Sequence, residues 1–434
     1  MKLGIELAFE ERNALGGIRG RKLELELEFR DDAYDPGLAE AAARTLVDAQ
    51  ISATETPKCP STSTPAVSGQ QPVSMTAMRR GPKAVLAILG NVGTPTMVRS
   101  LPVSVETGTV FFGAFTGAAT LLRDAKAGDC SRYIFNVRAS YAQEARATME
   151  LFKRRGVADY RNVISFDQND SFGQAGYDGI KQAFTDVVGP YPAAADDTNP
   201  IIRFRYTRND DTSVPAQATA AANYLSNLLA TTSGTQTIGI MMTDTYGAGN
   251  DFIRLLRQWQ HDGQQSTLNK DTRLKLYFSN VSFVGPNALS DRLIAAPATF
   301  NTPNGPMPYT TDVTVSQVVP NYQGGVEEIV KAYNKLIAAN GNMPSFTSLE
   351  GYVAARVFIA GLKAHEGPFT PESLVGAFED LPDLGLGLGL GATSGFSTMN
   401  HQYSNSVWGT NIQANGSFKN LYFWSSGLPI QFFE

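Results

Sequence analysis

The chain has 434 residues, 42% hydrophobic and 18% charged, with 36 lysines and arginines against 41 aspartates and glutamates and a net charge of −5. That length exceeds what one growing hydrophobic core supports and predicts two or three domains, which two large lobes would fit, while the acidic balance, without a basic stripe in the sequence, speaks against a nucleic-acid partner. No apolar run approaches the roughly 18 residues of a membrane helix, and the only two cysteines, Cys59 and Cys130, form no CxxC pair, which excludes a multi-cysteine metal site and leaves open either one disulfide or two free thiols.

Leu3, Leu7, Ala8, Ala14 and Leu15 share one helical face and Gly16-Gly17 follows them, so the first helix is expected to stop at Leu15. The opening MKLGIELAFEERN reads as this amphipathic helix rather than as a signal peptide. In the next stretch Leu23, Leu25, Leu27 and Phe29 alternate with Lys22, Glu24, Glu26 and Glu28. One face is apolar and the other charged, which suits the edge of a sheet, where charge discourages pairing with other chains. Asp35 precedes Pro36, an N-cap and first-turn proline for a second helix through LAEAAARTLVDAQ. Asp31, Asp32 and Asp35 are therefore read as turning the chain and capping that helix rather than binding a cation, with Tyr34 among them directed at a ligand.

Residues 51–83 are rich in Ser, Thr and Pro and lack any period; they read as a surface insertion, partly disordered. AVLAILG (84–90) is apolar on both faces, as a central parallel strand should be. Strands are expected again at 109–115, 162–168 and 237–243, the last two followed by helices ending at Phe184 and running over AGNDFIRLLRQWQ. Further strands are expected at 276–285 and 313–320, and helices at 325–339 and 348–364. LGLGLGLG (384–391) reads as a flexible hairpin or linker. The alternation predicts an α/β fold of doubly wound parallel sheets, in which ligands sit beyond the carboxyl ends of the strands.

The loops at those ends, GNVGTPT, TGAAT, NDSFGQAG, DTYGAGN and SFVGPNAL, combine glycines, hydroxyls and aromatics. Glycine lets a ligand approach the backbone, hydroxyls and amides at helix starts bind anions, and aromatics cover an apolar body. Thr94 and Thr116, each placed just before an expected helix start, read either as hydroxyls for a carboxylate or as caps of those helices; Phe172, Tyr246 and Phe283, taken singly, read as core or loop packing ahead of ligand clamps. His261, His365 and His401 are too widely spaced for a local metal motif, and neither a G-x-S-x-G elbow nor a phosphate loop occurs. No enzyme activity, metal or cofactor is expected.

The segments AFEERNALGGIRGRKLEL with DDAYDP, then AILGNVGTPT, YIFNVRASYAQE, DSFGQAGYDGIKQAF, VSFVGPNAL, SQVVP, SFTSLEGYVAARV and NHQYSNSVWGT resemble, in order, the type I periplasmic solute-binding proteins of ABC transporters, the group of the leucine/isoleucine/valine-binding protein. The resemblance covers nearly the whole chain outside 51–83. It implies two α/β lobes joined by three hinge crossings, near Arg138, Pro320 and Gly395: lobe one from 1–138 and 321–395, lobe two from 139–320 and 396–434. It also implies a monomer outside the cytoplasm that closes on a small solute, with a membrane permease as partner. The same lobes serve as sensing domains of receptors or kinases.

Carried over by motif, Thr94, Ala114, Phe115 and Thr116 hold the solute's carboxylate from lobe one, while Phe172 and Tyr246 close from lobe two and Tyr141 lies beside the first crossing. Two departures stand out. Where amino-acid binders present a carboxylate to the ligand's ammonium this chain has Ser282, so a free amino acid requires Asp244 to substitute. The family also begins one strand earlier, with a signal peptide before it, so a truncated or mis-called start is expected.

Overall fold

The computed structural model describes residues 1–22, 29–59, 76–118, 130–193, 195–196, 198–262, 268–391 and 394–433. The chain divides into two compact units, Met1–Ser140 with Gly324–Ser406, and Tyr141–Gln323 with Val407–Glu434.

Unit one opens with α1 (Lys2–Ala14), followed by α2 (Pro36–Leu46), the short antiparallel pair β1 (Gln50–Ile51) and β2 (Met78–Arg79), β3 (Ala87–Leu89), α3 (Thr94–Glu106), β4 (Val110–Phe112) and β5 (Ile134–Phe135). Among the described residues β3, β4 and β5 form a parallel sheet in that order. At their carboxyl ends the ladders stop before 90 and 113 because Gly90 (φ 73°) and Gly113 (φ 61°) turn left-handed there, a conformation that leaves the extended strand. The expected edge strand falls on 23–28, outside the described residues.

Asp35 caps α2, its Oδ1 accepting the Leu38 N–H at 2.9 Å, as the Asp-Pro pattern predicts. The ends of the expected 51–83 insertion are tied down. β1 pairs with β2, Cys59 is disulfide-bonded to Cys130 with Cα atoms 5.9 Å apart, and the buried Glu106 at the end of α3 accepts the Lys58 N–H at 3.0 Å and the Cys59 N–H at 2.8 Å. Residues 60–75 of that insertion lie outside the described ones.

Unit two begins with α4 (Tyr141–Arg154), β6 (Val163–Gln168), α5 (Ser171–Val187), β7 (Ile202–Tyr206), α6 (Val214–Thr231) and β8 (Gln236–Thr243). It continues through α7 (Tyr246–Gln260), the one-turn α8 (Lys270–Arg273), β9 (Leu274–Asn280), α9 (Pro286–Ile294), the hairpin β10 (Thr299–Thr302) and β11 (Gly305–Pro308), and β12 (Val313–Gln317). The strand expected over 276–285 stops at Asn280 because Ser282–Val284 coil into a 3-10 turn, which left-handed Gly285 (φ 78°) ends before α9 begins at Pro286.

The chain then returns to unit one for α10 (Glu328–Ala339), α11 (Phe346–Ala364) and α12 (Pro371–Glu379), and to unit two for β13 (Val407–Ile412), β14 (Phe418–Trp424) and β15 (Gln431–Phe432). The unit-two sheet runs β15-β14-β13-β12-β9-β8-β6-β7. From β7 to β12 it is parallel, with helices on the crossovers; from β12 to β15 it is antiparallel. The sheet is thus dominated by parallel pairs, as the α/β alternation predicts, with an antiparallel edge of three strands. β13 and β14 are joined by five residues containing left-handed Gly416, and so short a link permits only antiparallel pairing.

The third boundary between the units lies after Ser406. Phe396 joins the core of unit one, with ring centroids 5.2 Å from Phe135 and 6.1 Å from Phe112. The His401 ring stacks on Phe135 at 4.0 Å. The Asn136 N–H donates to the His401 carbonyl at 2.8 Å and the Tyr403 N–H to that of Asn136 at 2.8 Å. A segment with that much buried aromatic surface and backbone pairing stays with the unit that supplies them. The first break, at 140/141, and the second, at 323/324, lie two and three residues beyond Arg138 and Pro320.

The same unit contains a close helix crossing. A Cβ on Gly4 of α1 would overlap the Ser348 carbonyl of α11, and one on Gly351 would overlap the Met1 carbonyl. Glycines at both contact points let the two backbones touch, which wider side chains would hold 8–10 Å apart.

Candidate functional site

In unit one the expected carboxylate residues converge at the carboxyl edge of the sheet. The Phe115 N–H donates to the Asn91 carbonyl at 2.7 Å and the Gly93 N–H to the Phe115 carbonyl at 3.1 Å. These bonds carry the β3–β4 pairing past the strands and bring the Thr94 and Thr116 hydroxyls to 2.6 Å of each other. Ala114 and Phe115 are buried beside them. Thr94 is the first residue of α3 rather than the one before it; Gly93 (φ 96°) takes the N-cap position and Pro95 follows. The helix therefore aims its first-turn amides, which lack intrahelical acceptors, and the positive end of its dipole at the same edge. The helix expected after Thr116 falls on 119–129, outside the described residues.

The acidic loop supplies a wall to this edge. Asp31 Oδ1 accepts the Ala33 N–H and Asp32 Oδ1 the Tyr34 N–H, both at 2.9 Å, while Asp35 caps α2. All three aspartates thus organise the backbone. Ala33 (φ 50°) and Tyr34 (φ 60°) are both left-handed, and the Tyr34 ring lies so close to Gly93 that a Cβ there would overlap Cε2.

In unit two Tyr141 opens α4 and Phe172 lies in the first turn of α5; both rings are buried, 5.5 Å apart, and Phe283 lies 4.7 Å from Phe172. Asp170 fixes this turn. It accepts the Phe172 N–H at 2.9 Å and a bond from the Gln168 amide at 2.6 Å, and its burial raises its pKa. Tyr246, at the start of α7, is 42% exposed with the Arg292 guanidinium 5.0 Å over its ring.

Asp244 and Ser282 belong to one buried hydrogen-bond chain. Asn280 donates to Asp244 Oδ1 at 2.5 Å, and Asp244 Oδ2 has no hydrogen-bond partner among the described residues. Burial pushes this carboxyl well above the usual range, because charge is disfavoured where water is absent. Ser316 bonds the Asn280 carbonyl at 3.2 Å and Glu144 Oε2 at 2.5 Å. Glu144 in turn accepts the Ser282 N–H at 2.8 Å and its hydroxyl at 3.1 Å.

Glu144 was not anticipated. Its signal is an acidic residue within the buried stripe Tyr141, Ala145, Thr148 and Phe152 of α4, where an unpaired carboxylate would be costly.

A groove of about 360 Å³ on the outer face of α5, lined by Asp178, Lys181, Thr185 and Tyr191, contains none of the expected residues. Among the described residues no cluster of His, Cys, Asp and Glu could hold a metal ion, and no helix is long and apolar enough to cross a membrane.

The sequence matches the family model described as "Periplasmic binding protein" over residues 1–54 and 73–241. No curated protein sequence matches. Among solved structures, the chain is similar to a possible leucine/isoleucine/valine-binding protein from Rhodopirellula baltica SH 1, at 25% identity and a TM-score of 0.70, covering 97% of this chain and 90% of that one. A branched chain amino acid ABC transporter protein from Thermus thermophilus with bound valine shares the fold at 12% identity, TM-score 0.65, with 98% and 91% covered. A fatty acid ABC transporter substrate-binding protein from Thermomonospora curvata does so at 15% identity, TM-score 0.65, with 98% and 87% covered.

Proposed function

Because this chain belongs to the periplasmic binding protein family, we propose that it is the extracytoplasmic solute-binding component of an ABC importer, its two units being the lobes that close on a small carboxylate-bearing solute. The observation that carries this reading is the Thr94–Thr116 pair, two hydroxyls 2.6 Å apart at the start of α3. Hydroxyls and first-turn amides are neutral donors that suit an anion without burying a counter-charge. Thr94 and the segment Ala114, Phe115 and Thr116 take the acid end. Tyr141, Phe172 and Tyr246 cover the body, and Ser282 and Asp244 lie on the polar chain behind them.

The solute class is a branched-chain amino acid or a related amide or aromatic acid. The similar structures are named for leucine, isoleucine and valine, for bound valine, and for a fatty acid; these share a carboxylate on an apolar body. Hydrogen bonds to a charged group contribute roughly 1.5–3 kcal/mol each, so two or three together with apolar burial reach the approximately 8 kcal/mol of micromolar binding. The solute leaves unchanged, and lobe closure presents it to a membrane permease. Melting curves with amino acids, amides, aromatic acids and short fatty acids test this directly. A rise in Tm with at least one of these classes is expected; no shift with any class overturns the reading.

A further inference from the structure

We propose that Tyr34 is a specificity-determining wall of the carboxylate half-site, selecting the apolar body attached to the acid that Thr94 and Thr116 hold. The inference rests on the binding reading above and adds a residue and a selection rule to it.

Three observations converge on Tyr34. The first is position. The acidic loop, the Gly93 turn and the Phe115–Thr116 extension all lie at the carboxyl edge of unit one, and the Tyr34 ring rests on Gly93, immediately before Thr94.

The second is conformation. Tyr34 is a large side chain at φ 60°, following Ala33 at φ 50°, and two consecutive non-glycine residues in the left-handed region are disfavoured unless their surroundings impose it. Here the surroundings do. Asp31 and Asp32 each accept one of the two amides, and the Asp35 N–H donates to the Asp32 carbonyl at 2.7 Å. Glycine or asparagine would serve such a turn without penalty, so the turn itself does not call for an aromatic.

The third is fit. Gly93, at φ 96°, is the residue that allows the ring to approach, because any side chain there would occupy the space of Cε2. A ring pressed on the backbone one residue before the acid-binding hydroxyl bounds the space next to the carboxylate, and its face offers contact to hydrocarbon.

The experiment is calorimetric titration of the full chain with alanine, valine, leucine and phenylalanine and with propionate, isovalerate, 4-methylvalerate and 3-phenylpropionate. It compares wild type with Tyr34→Phe, Tyr34→Asn, Tyr34→Gly, Thr94→Val and Thr116→Val. Asn and Gly both accept the left-handed backbone, so the turn is retained and melting temperatures check the fold. Tyr34→Phe should keep the wild-type order of affinities. Tyr34→Asn and Tyr34→Gly should weaken the best bulky ligand at least tenfold while changing the smallest less than threefold, with Tm equal to or above wild type.

If both small variants leave every affinity within twofold while Thr94→Val and Thr116→Val weaken binding, Tyr34 is not a wall, although the binding reading stands. If the threonine variants bind as wild type, the carboxylate half-site is misplaced. If the wild type binds none of the eight probes, both are overturned.

Discussion

Thr94 and Thr116, 22 residues apart in sequence, share a hydrogen bond of 2.6 Å between buried hydroxyls. Only one of the pair can donate to the other, and the Thr116 hydroxyl also accepts the Ala118 N–H at 3.4 Å. Thr94→Val or Thr116→Val keeps the shape and removes one partner. Each should destabilise unit one by about 1 kcal/mol and weaken carboxylate binding tenfold or more, as read by chemical denaturation and by titration.

Burial raises the pKa of Asp244 well above the usual carboxyl value, whereas in the unfolded chain such a group titrates near pH 4. A group whose pKa is raised on folding contributes stability that is full below its unfolded pKa and falls as pH rises toward the folded one. Asp244→Asn keeps an oxygen for Asn280 and removes the titration. It should be more stable than wild type at pH 7, by about 1 kcal/mol or more. The gain should shrink to nothing as pH falls below about 4, which paired urea titrations at pH 4 and pH 7 will measure.

Glu40 behaves in the opposite sense. Burial pushes its pKa up, but Arg44, four residues on, and Arg99 of α3 hold it below the ordinary value. Its stabilising contribution is present above the unfolded pKa and disappears as pH falls through the folded one. Glu40→Gln should cost up to about 1 kcal/mol at pH 7 and little at pH 3, with the α2–α3 contact loosened.

The bond between Cys59 and Cys130 closes a loop with a sequence separation of 71. Restricting the unfolded chain over that span contributes about 4 kcal/mol in the chain-entropy account. Reduction, or the Cys59→Ser and Cys130→Ser double variant, should lower Tm by several degrees. Glu106 should still hold the Lys58 and Cys59 amides, so hydrogen exchange at those two amides ought to remain slow.

Gly4→Ala places a methyl where the Ser348 carbonyl already lies. The obstacle is backbone on a packed helix, so α1 must move away from α11. A loss of about 3 kcal/mol or failure to fold is expected, although alanine is the better helix former. Gly376→Ala, also helical but with open space around its Cβ position, should be neutral or stabilising, and comparing the two denaturation curves separates packing from propensity.

Much of the architecture was legible along the chain. Asp35-Pro36 identified the start of α2, the apolar runs at 162–168 and 237–243 identified β6 and β8, and the small-residue loops after strands pointed to Thr94, Thr116 and Phe172. Less visible were α4, α6, α9 and α12 and the strands after Val407. β13 and β14 alternate only loosely, and β13 carries Gly409, where a Cβ would overlap the Tyr422 ring. Glu144 was hidden for a related reason: its partners Ser282 and Ser316 lie 138 and 172 residues away.

The division follows the range of the forces. By itself the sequence determined caps, turns and periodicity, because these depend on sterics and hydrogen bonds within three or four residues. Tertiary structure alone decided that Thr94 meets Thr116, that Cys59 reaches Cys130, that Glu144 satisfies Ser282, and that residues 396–406 stay with the first unit. Each of those outcomes depends on which distant groups are buried together, and a buried polar group or ring takes the partner that packing delivers, whatever its distance along the chain.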